Sequence, residues 1–433
     1  MKITVLGAGY VGLTTAACMA EKAHKVICAD IDRQKINGLK KNNIPFFEPG
    51  LDKLVKKHLQ LKNLQFSNSL KTAIQNSDVI ICCVWTPPKK NFKADIMAVI
   101  NAAKDFGQSI NSYKILIIKS TVPPGTNKIC ALAIQEEIKK RNIKVKFDIV
   151  SNPEFLRQGS AVRDTLKPDR IVAGINNKKS VAIIKGLYKS FQSKKRPIIF
   201  TTPESAEIIK YAANSYLAMK LSFINEIAGF CEIAGVNIKE IEKGLKFDKR
   251  IGLDYLHAGV GYGGGCLKKD INAMIHFGKE KKYNFKLLKV VDEINEKQKL
   301  HLFDRYKGLA DKNVAVLGLS FKPDTDSVKE AASIAVVNKL IKLKAKIKVY
   351  DPAGLSAFLK AAGKHKNIMP CKKPADALRN ADVLMILTAW PQFKKITPEF
   401  LKKHMKGRVI LDGRNLLNQK AFKKAGFEYI GIG

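Results

Sequence analysis

Short apolar runs alternate with helical patterns along the first part of the chain. Runs at residues 3–6, 25–29, 79–84 and 115–118 have the length of strands, and a helical pattern follows the first run as far as Ala23. Alternating strands and helices are typical of a parallel sheet, because each parallel connection needs a crossover. The pattern therefore predicts an α/β domain over residues 1–200.

The pattern changes in the middle of the chain. Between about residues 203 and 298 the strand signals vanish, and residues 204–234 form one amphipathic stretch without proline. A helix of this length spans about 45 Å at 1.5 Å per residue. We expect a helical domain over residues 201–300, whose long helix joins the neighbouring domains and packs a dimer.

The α/β pattern returns after about Leu302. Its predicted elements are strands at residues 314–317, 346–350, 383–387 and 409–411 and a helix at residues 333–343. A chain of 433 residues also favours two or three domains, at roughly 100 to 200 residues each. The predicted fold class is α/β: two doubly wound Rossmann-like domains, at 1–200 and 301–433, joined by the central helical domain.

Basic residues outnumber acidic ones, with 77 Lys and Arg against 38 Asp and Glu and a formal net charge of +39. Such an excess raises the question of nucleic acid or acidic membranes as partners. The basic residues form short scattered clusters without interleaved aromatics, and no apolar run approaches the roughly 18 residues of a membrane span. We expect a solvated basic surface that attracts an anionic substrate, and neither a nucleic-acid nor a membrane partner.

The cysteines and histidines exclude two other kinds of site. The eight cysteines form no CxxC pair and mostly lie in apolar runs, where a reduced thiol behaves as a small hydrophobic group. The seven histidines lack the spacing of metal ligands. We therefore expect a cytoplasmic protein without a metal site.

A glycine-rich turn follows the first predicted strand. Its residues are Gly7, Ala8, Gly9, Tyr10, Val11 and Gly12. Glycines at this spacing make a tight turn and admit a dinucleotide pyrophosphate at the start of a helix. The second strand ends in Asp30, where a carboxylate binds the ribose 2′-hydroxyl and repels a 2′-phosphate. The pattern predicts NAD rather than NADP as cofactor.

A second glycine cluster precedes Cys266. The residues Leu267-Lys268-Lys269-Asp270 follow the cysteine, so Cys266 is expected in the first turn of a helix, where the helix dipole and nearby lysines stabilise a thiolate. Asp270 lies four residues further on and hence on the same helical face. A single cysteine is usually structural, but the small residues around Cys266 leave room for a substrate.

Three further polar elements are candidates for the same chemistry. They are the pair Lys210 and Asn214 on the long helix, the segment 120–126 with Thr121, and the segment 152–159 with Glu154. The last two follow buried strands, at the edge of the sheet where open α/β folds bind ligands. Each alone is more often an ordinary loop or helix face, but with Cys266 the four suggest one shared cleft.

Together these motifs resemble the UDP-glucose/GDP-mannose dehydrogenase family over essentially the whole chain. The resemblance rests on residues 7–12 (GAGYVG), 120–125 (STVPPG), 152–156 (NPEFL), 211–226, 247–252, 263–266 (GGGC), 321–326 (FKPDTD) and 412–414 (DGR). It implies two successive NAD-dependent oxidations at C6 of a nucleotide sugar, without release of the aldehyde.

The resemblance also implies catalytic roles. Asp270 and Thr121 would position a water that accepts the alcohol proton, and Lys210 and Asn214 would steady the oxyanion. Cys266 would add to the aldehyde and form a thioester, which Glu154 would help to hydrolyse.

Binding roles follow from the same resemblance. The residues expected to bind NAD, besides those of the glycine turn and Asp30, are Lys35, Thr86, Thr121, Lys269 and Lys329. Those expected to bind the sugar nucleotide are Glu154, Phe155, Leu156, Lys210, Asn214, Tyr255, Gly263, Phe321, Lys322 and Arg414. Arg250 resembles an arginine that reaches a neighbouring subunit, which implies a homodimer or a higher homo-oligomer. The last domain, with Tyr350-Asp351-Pro352, would hold the uridine diphosphate.

Three positions depart from the family pattern. Gln158 stands where a second glutamate is frequent, so Glu154 alone would serve hydrolysis. Lys329 replaces a frequent arginine and keeps the charge without the bidentate fork. Trp85 stands before Thr86 where a smaller polar residue is common, and the sequence offers no explanation for it.

Several alternatives remain open on the sequence alone. Residues 211–226 are more similar to the branch that oxidises UDP-glucose than to the one that oxidises GDP-mannose by the same chemistry. The branch that oxidises UDP-N-acetylmannosamine differs around Glu154 and Cys266. A basic nucleic-acid-binding protein with a Rossmann domain is a different class of function, and a catalytically silent relative would be expected to lack this complete set of side chains.

Overall fold

The computed structural model describes residues 1–89, 91–252 and 254–433. The chain divides into two compact units, Met1–Ala213 and Asn214–Gly433. The first unit contains one sheet and the second contains another. Helix α9, Pro203–Ala234, contains the boundary between the two units.

An eight-stranded sheet forms the centre of the first unit, in the order β3-β2-β1-β4-β5-β6-β7-β8. Its strands are β1 (Lys2–Leu6), β2 (Lys25–Ala29), β3 (Leu64–Ser67), β4 (Val79–Cys82), β5 (Lys114–Ile118), β6 (Phe147–Ser151), β7 (Ile171–Ile175) and β8 (Ile198–Thr201). Neighbouring strands are parallel except β6 and β7, which pair antiparallel. The predicted parallel sheet is therefore confirmed, with one antiparallel junction.

Helices cover both faces of this sheet. They are α1 (Tyr10–Glu21), α2 (Arg33–Lys40), α3 (Leu51–Gln60), α4 (Leu70–Gln75), α5 (Met97–Ser109), α6 (Thr126–Lys140), α7 (Ala161–Leu166) and α8 (Lys178–Leu187). Alternate residues of one strand enter different cores: Ile81 packs in one apolar cluster and Ile80 in the other. Burial on both faces explains why the central strands read as continuous apolar runs.

The second unit begins within α9 and continues through helices. These are α10 (Ile238–Lys246), α11 (Cys266–Glu280), α12 (Lys286–Gln298) and α13 (His301–Arg305). Among the described residues between 203 and 298 there is no strand, as the sequence predicted. Helix α9 ends before Gly235, whose φ of +68° places it in the left-handed region that terminates helices.

A six-stranded parallel sheet completes the second unit, in the order β11-β10-β9-β12-β13-β14. Its strands are β9 (Asn313–Leu317), β10 (Lys346–Tyr350), β11 (Ile368–Pro370), β12 (Val383–Ile386), β13 (Val409–Asp412) and β14 (Glu428–Ile430). Its helices are α14 (Ala332–Lys342), α15 (Leu355–Ala362), α16 (Pro374–Leu378), α17 (Pro398–His404) and α18 (Gln419–Lys424), with a 3₁₀ helix at Pro391–Lys395. Both sheets are doubly wound, so the predicted fold class is confirmed.

Some predicted bounds differ from the structure by one or two residues. The first helix ends at Glu21 rather than Ala23, because Ala23 has a φ of +64° that no α-helix accommodates. Strand β4 ends at Cys82 rather than at residue 84.

Within the described part of the chain, no helix is long and apolar enough to cross a membrane.

Candidate active site

The glycine turn between β1 and α1 leaves an open helix N-terminus. Gly7 has a φ of +94°, and a Cβ on Gly12 would come within 1.8 Å of the Gly7 carbonyl oxygen. A Cβ on Gly9 would meet no atom within 4 Å, and α1 starts at Tyr10 without a side-chain cap. The turn is closely packed at Gly7 and Gly12, and it is open at Gly9, where the first amides of α1 are uncapped. This arrangement fits the diphosphate of a dinucleotide.

Asp30 follows β2 and lies buried beside this turn. Its carboxylate accepts hydrogen bonds from the Ala8 amide at 2.8 Å and from Lys35 Nζ at 2.9 Å. Burial opposes ionisation, but the hydrogen bonds from the Asp32 amide, Lys35 and Ala8 outweigh it and lower the pKa of Asp30. The carboxylate is therefore ionised and oriented at the turn, as recognition of a ribose hydroxyl requires.

The ends of β4 and β5 are joined by hydrogen bonds near Thr121. Thr86 Oγ1 donates to the Thr121 carbonyl at 2.9 Å, and Ser120 Oγ donates to the Val84 carbonyl at 2.7 Å. Thr86 and Thr121 were both predicted to bind the cofactor, and the structure brings them into contact. Trp85, between Val84 and Thr86 in the chain, is exposed, with 68% of its surface accessible.

Glu154 and Lys210 form the first group of catalytic candidates, within the first unit. Lys210 Nζ lies 3.2 Å from Glu154 Oε1, and both side chains are largely buried. The second carboxylate oxygen of Glu154 accepts a hydrogen bond from the Leu156 amide at 2.7 Å. The sequence had assigned these two residues to different steps, whereas the structure pairs them.

Phe155 and Leu156 lie beside this pair. Lys210 Nζ is 5.4 Å from the Phe155 ring centroid, and the Arg170 guanidinium is 3.6 Å from it. The segment that contains Glu154, Phe155 and Leu156 lines a cavity of about 330 Å³ in the first unit. Gln158, the departure from the family pattern, has a buried side-chain oxygen without a hydrogen-bond partner among the described residues.

Asn214, Asp270 and Lys269 form the second group, within the second unit. Asn214 Nδ2 donates to Asp270 Oδ2 at 2.6 Å. Lys269 Nζ lies 2.8 Å from the other carboxylate oxygen, as an ion pair without hydrogen-bond geometry. Asp270 is almost completely buried, so it is not an exposed helix acid. A buried carboxylate needs such partners, because an unpaired charge in this position would be strongly destabilising.

Lys210 and Asn214 were expected to act as one pair on the long helix. They do lie one turn apart on α9, but Lys210 contacts Glu154 and Asn214 contacts Asp270. Each therefore orients a carboxylate of its own.

Cys266 is the first residue of α11 and is exposed. The other seven cysteines, all within the described residues, are buried. Burial raises the pKa of Cys18, for example, to about 12, which keeps that thiol protonated. Helix α11 has no side-chain cap at Gly265, so its first amides face the Cys266 end, as the sequence predicted.

The lysines near Cys266 are engaged with carboxylates. Lys268 Nζ lies 2.6 Å from Glu296 and 3.5 Å from Glu330, and Lys269 pairs with Asp270. These carboxylates offset the positive charge that the sequence had assigned to thiolate stabilisation. The carboxylates do not offset the dipole of the helix N-terminus, which still stabilises a Cys266 thiolate.

The glycine loop before Cys266 is closely packed. A Cβ on Gly264 would lie 2.4 Å from the Phe321 ring, and one on Gly263 would lie 2.6 Å from the Glu330 carbonyl oxygen. The Gly264 amide donates to the Lys329 carbonyl at 2.7 Å. Phe321, Gly263 and Lys329, which were predicted as binding residues, thus shape the loop that presents Cys266.

Arg414 is bonded to the same glycine loop through its guanidinium. Its guanidinium donates to the Leu387 carbonyl at 2.8 Å and to the Gly261 carbonyl at 3.3 Å. Burial lowers its pKa to about 10, which still leaves it charged at neutral pH. Lys322 Nζ lies 5.9 Å from the Phe321 ring centroid.

Two other predicted substrate residues precede the loop. Arg250 has an exposed side chain whose guanidinium lies 2.7 Å from Asp248. Tyr255 has a φ of +64°, an uncommon backbone conformation for a non-glycine residue and one that often marks functional positions.

Asp351 follows β10 in the second sheet as Asp30 follows β2 in the first. It accepts hydrogen bonds from the amides of Leu319 and Ser320 at 2.6 and 2.9 Å and from Trp390 Nε1 at 3.1 Å. An acid that follows a strand and accepts backbone hydrogen bonds therefore occurs in both sheets. Among the described residues there is no group of three side chains that could hold a metal ion.

Comparison with family models assigns nearly the whole chain. The NAD binding domain of the UDP-glucose/GDP-mannose dehydrogenase family matches residues 1–192, its central domain residues 204–297 and its UDP binding domain residues 315–419. The chain belongs to this family.

Relatives match over the full length. The chain is 42% identical to UDP-glucose 6-dehydrogenase TuaD of Bacillus subtilis, covering 100% of this chain and 93% of that protein. It is 39% identical to UDP-glucose 6-dehydrogenase of Rickettsia conorii, covering 100% and 99%. A solved UDP-glucose dehydrogenase of Pyrobaculum islandicum is 34% identical, with a TM-score of 0.90 over 100% of this chain and 96% of that one. The protein is therefore an NAD-dependent nucleotide-sugar dehydrogenase, and the predicted family and cofactor are confirmed.

The sequence did not indicate two buried glutamates. Glu48 accepts hydrogen bonds from the amides of Gly159 and Ala161, at 2.6 and 2.7 Å, and from the Tyr10 hydroxyl. It thus joins the glycine turn to the end of the Glu154 segment. Glu207 is buried on α9 and bonded to residues of two other elements. Neither belongs to a motif, and only its tertiary contacts identify it.

Proposed function

We propose that the chain oxidises UDP-glucose to UDP-glucuronate in two NAD-dependent steps, the reaction of UDP-glucose 6-dehydrogenases. The observation that carries this proposal is the exposed Cys266 at the uncapped start of α11. A nucleophilic thiol is what allows an alcohol to be oxidised as far as a carboxylate, because it converts the aldehyde into a tetrahedral hydride donor. The full-length relatives named UDP-glucose 6-dehydrogenase support UDP-glucose as the substrate.

The first oxidation converts the C6 alcohol to an aldehyde. When NAD is bound, it accepts the hydride from C6. Asp270, with Thr121, positions a water that takes the hydroxyl proton, and the Asn214 amide and Lys269 hold the Asp270 carboxylate in place. Lys210 and Asn214 stabilise the negative charge on the C6 oxygen.

The second oxidation proceeds through Cys266. Its thiolate forms an S–C bond to the aldehyde carbon, and the carbonyl electron pair moves to oxygen, which then takes a proton. Transfer of a hydride from this thiohemiacetal to a second NAD molecule, when that is bound, with loss of the hydroxyl proton, restores the C=O bond and leaves a thioester on Cys266.

Hydrolysis of the thioester uses the Glu154–Lys210 pair. Glu154 accepts a proton from the attacking water, the C–S bond breaks, and Cys266 leaves as a thiolate. The ammonium of Lys210, 3.2 Å from Glu154, stabilises this carboxylate, and we assign to it the stabilisation of the oxyanion formed during hydrolysis. Gln158 has no charge to contribute, so a single glutamate serves this step.

Binding roles are assigned to segments of the chain. We propose that residues 1–200 bind NAD through the glycine turn, Asp30 and Lys35, and that residues 301–433 bind the uridine diphosphate beside Asp351. Residues 201–300 are proposed as the helical, dimer-forming segment. Lys322, Tyr255 and Arg250 are assigned to the sugar nucleotide, Arg250 from the neighbouring subunit.

The stoichiometry of reduced cofactor tests the reaction. Purified protein with limiting UDP-glucose is expected to yield about two NADH per sugar, as sequential alcohol and aldehyde oxidation requires. Assays with GDP-mannose in parallel test the same-class alternative, since that substrate would support identical chemistry. One NADH per sugar with free aldehyde released would contradict the Cys266 mechanism.

The variant Cys266→Ser tests the thiol itself. Serine is a far weaker nucleophile at neutral pH, so turnover to UDP-glucuronate is expected to fall below about 1% of wild type, whereas the dissociation constant for NAD stays unchanged. Cys371→Ser, which alters a buried cysteine just after β11, is the matched control and should retain activity. Equal activity of both variants would make Cys266 a structural residue.

An apolar stripe on α9 supports a homodimer. Tyr216, Phe223, Phe230 and Ile233 follow at spacings of seven, seven and three, which places them on one helical face, and they are 57%, 47%, 67% and 87% exposed. Exposed apolar surface of this kind marks interfaces.

We also propose a reducing compartment, the cytoplasm, because all eight cysteines are free thiols.

A further inference from the structure

Glu207 lies in the second turn of α9, three residues before Lys210, and is buried. One carboxylate oxygen accepts a hydrogen bond from the Gly125 amide at 2.7 Å. The other accepts from the Asn127 amide at 3.1 Å and from Ser151 Oγ at 3.0 Å. Both oxygens are thus used, and their donors belong to two elements remote in sequence.

Each partner of Glu207 adjoins a segment that carries a proposed catalytic residue. Gly125 lies in the segment with Thr121 and is the N-cap of α6. Ser151 is the last residue of β6, three positions before Glu154. Asn127 Nδ2 also donates to Ser151 Oγ at 3.2 Å, so the three elements form one closed network around the carboxylate.

The capping of α6 distinguishes Glu207 from a routine structural acid. Several other helices are capped by a local side chain, as Asp32 caps α2 and Asn237 caps α10. The N-cap of α6 is Gly125, which has no side chain, and the Gly125 and Asn127 amides are bonded instead by Glu207, 82 and 80 positions away. A local Asp or Ser would satisfy these amides without burying a carboxylate in the interior.

We propose that Glu207 is a positioning residue that holds the segments of Thr121, Glu154 and Lys210 in register with one another. It acts through backbone amides and Ser151 and contacts none of the reacting groups. Its effect on catalysis rests on the proposed function, whereas its effect on the three segments does not.

The first test measures the segments directly. Amide hydrogen exchange in peptides covering residues 120–130 and 147–156 is compared between wild type, Glu207→Gln and Glu204→Gln. Glu207→Gln preserves shape but removes one acceptor oxygen and turns an amide NH₂ toward N–H donors, so exchange in both peptides should rise at least about 10-fold. Glu204→Gln makes the same charge change one turn earlier, at an exposed site, and should match wild type.

The second test measures catalysis. Misplacement of catalytic groups by about 1 Å costs on the order of 100-fold, so kcat of Glu207→Gln at pH 8 should fall about 10- to 100-fold, while kcat of Glu204→Gln stays unchanged. Wild-type exchange and kcat in Glu207→Gln would overturn the proposal. If wild type makes no NADH from either nucleotide sugar but the exchange pattern appears, the proposed function fails and the positioning role stands.

A pH profile separates positioning from general stability. Burial raises the pKa of Glu207 to about 7, against the lowering effect of its three hydrogen bonds. The groups that face it are Glu204 on α9, whose charge raises this pKa, and Cys130 on α6, a thiol kept neutral because burial raises its own pKa to about 12. Protonation below pH 7 replaces an acceptor by a donor, so wild-type kcat should fall as the pH drops through about 7. Glu207→Gln should lack this limb, and its persistence there would contradict the proposal.

The variant Ser151→Ala tests the same network if Glu207→Gln does not fold. Ser151→Ala removes one of the three donors and leaves the carboxylate with two. Exchange in residues 120–130 should rise in the same direction by a smaller factor, about 3-fold. No change in Ser151→Ala would count against the network.

Discussion

Asp30 is oriented by the protein itself, through the Ala8 amide, the Asp32 amide and Lys35. Its lowered pKa keeps the carboxylate ionised at every pH at which the enzyme is expected to work. A charged acceptor binds a ribose hydroxyl more strongly than a neutral one and repels a 2′-phosphate. The preference for NAD is therefore a property of one side chain and its immediate contacts.

At the scale of this residue we predict that Asp30→Asn weakens NAD binding. Loss of the charge removes about 1.5 to 3 kcal/mol from a charged hydrogen bond, so the dissociation constant for NAD should rise roughly 10- to 100-fold, and discrimination against NADP should shrink. Fluorescence titration with both cofactors measures this. Asp32→Asn is the matched control, because asparagine caps α2 as well as aspartate does. Equal losses in the two variants would mean that helix α2, and not Asp30, governs cofactor affinity.

Residue-scale predictions from sequence succeeded where the chemistry is local. The glycines of the turn and Asp30 lie where their spacing placed them, because strand, turn and helix are contiguous. The pairing of Lys210 with Glu154 was not visible, since these residues are 56 positions apart and meet only through folding. Glu48 and Glu207 were missed for the same reason.

The element that matters most for the proposed chemistry is the glycine loop that leads into α11. Gly264 and Gly265 both have a positive φ, of +83° and +54°, so alanine at either position strains the backbone. Only at Gly264 would the new Cβ also enter the space of Phe321, at 2.4 Å; at Gly265 the nearest atom is Lys329 Cδ at 3.7 Å. The two sites separate backbone strain from overpacking.

At this scale we predict that Gly264→Ala is much more damaging than Gly265→Ala. Overpacking adds about 1 to 3 kcal/mol to the strain that both share, and it displaces the start of α11 that carries Cys266. Urea unfolding should show the lower stability, and the rate of Cys266 alkylation by iodoacetamide should change more in Gly264→Ala. If the two variants are equally stable, the Phe321 contact does not constrain the loop.

Element bounds were predicted well where a strand or helix is long and strongly patterned. Helix α9 was expected at residues 204–234 and occupies Pro203–Ala234. The apolar pattern indicated no strand at β3, β7, β8, β11 or β14, which have three to five residues each. Strands this short, such as β14 with Glu428 and Tyr429, have too few positions for an apolar–polar alternation to be recognised. They form because a neighbouring strand pairs with them.

At the scale of the whole molecule, the stripe on α9 leads to a prediction about assembly. Phe230→Asp places a charge in the middle of the exposed apolar stripe and should convert the proposed homodimer, of twice the 48.1 kDa chain mass, into a monomer. Sedimentation equilibrium measures the mass. Leu132→Asp, at an exposed leucine of α6, makes the same change elsewhere and should leave the mass unchanged. A wild-type monomer would refute the dimer outright.

Charge is the other property of the whole molecule that the sequence reports. The net charge is +39, and the family assignment makes the chain a nucleotide-sugar dehydrogenase. A positive surface attracts the diphosphate of the substrate over distances set by the salt concentration, without defining which sugar nucleotide binds.

The sequence by itself determined the fold class and the cofactor, and its motifs resembled the family and pointed to Cys266 as the thiol that we propose as nucleophile. The fold class and cofactor follow from patterns that are local in the chain: apolar periodicity, glycine spacing, and an acid at the end of a strand. Tertiary structure alone decided which carboxylate Lys210 and Asn214 each contact, how tightly the Cys266 loop is packed against Phe321, and that Glu207 bonds the Gly125 and Asn127 amides at the start of α6 from 82 and 80 residues away. Such contacts depend on where remote segments meet in space, and no local period of the chain encodes that meeting.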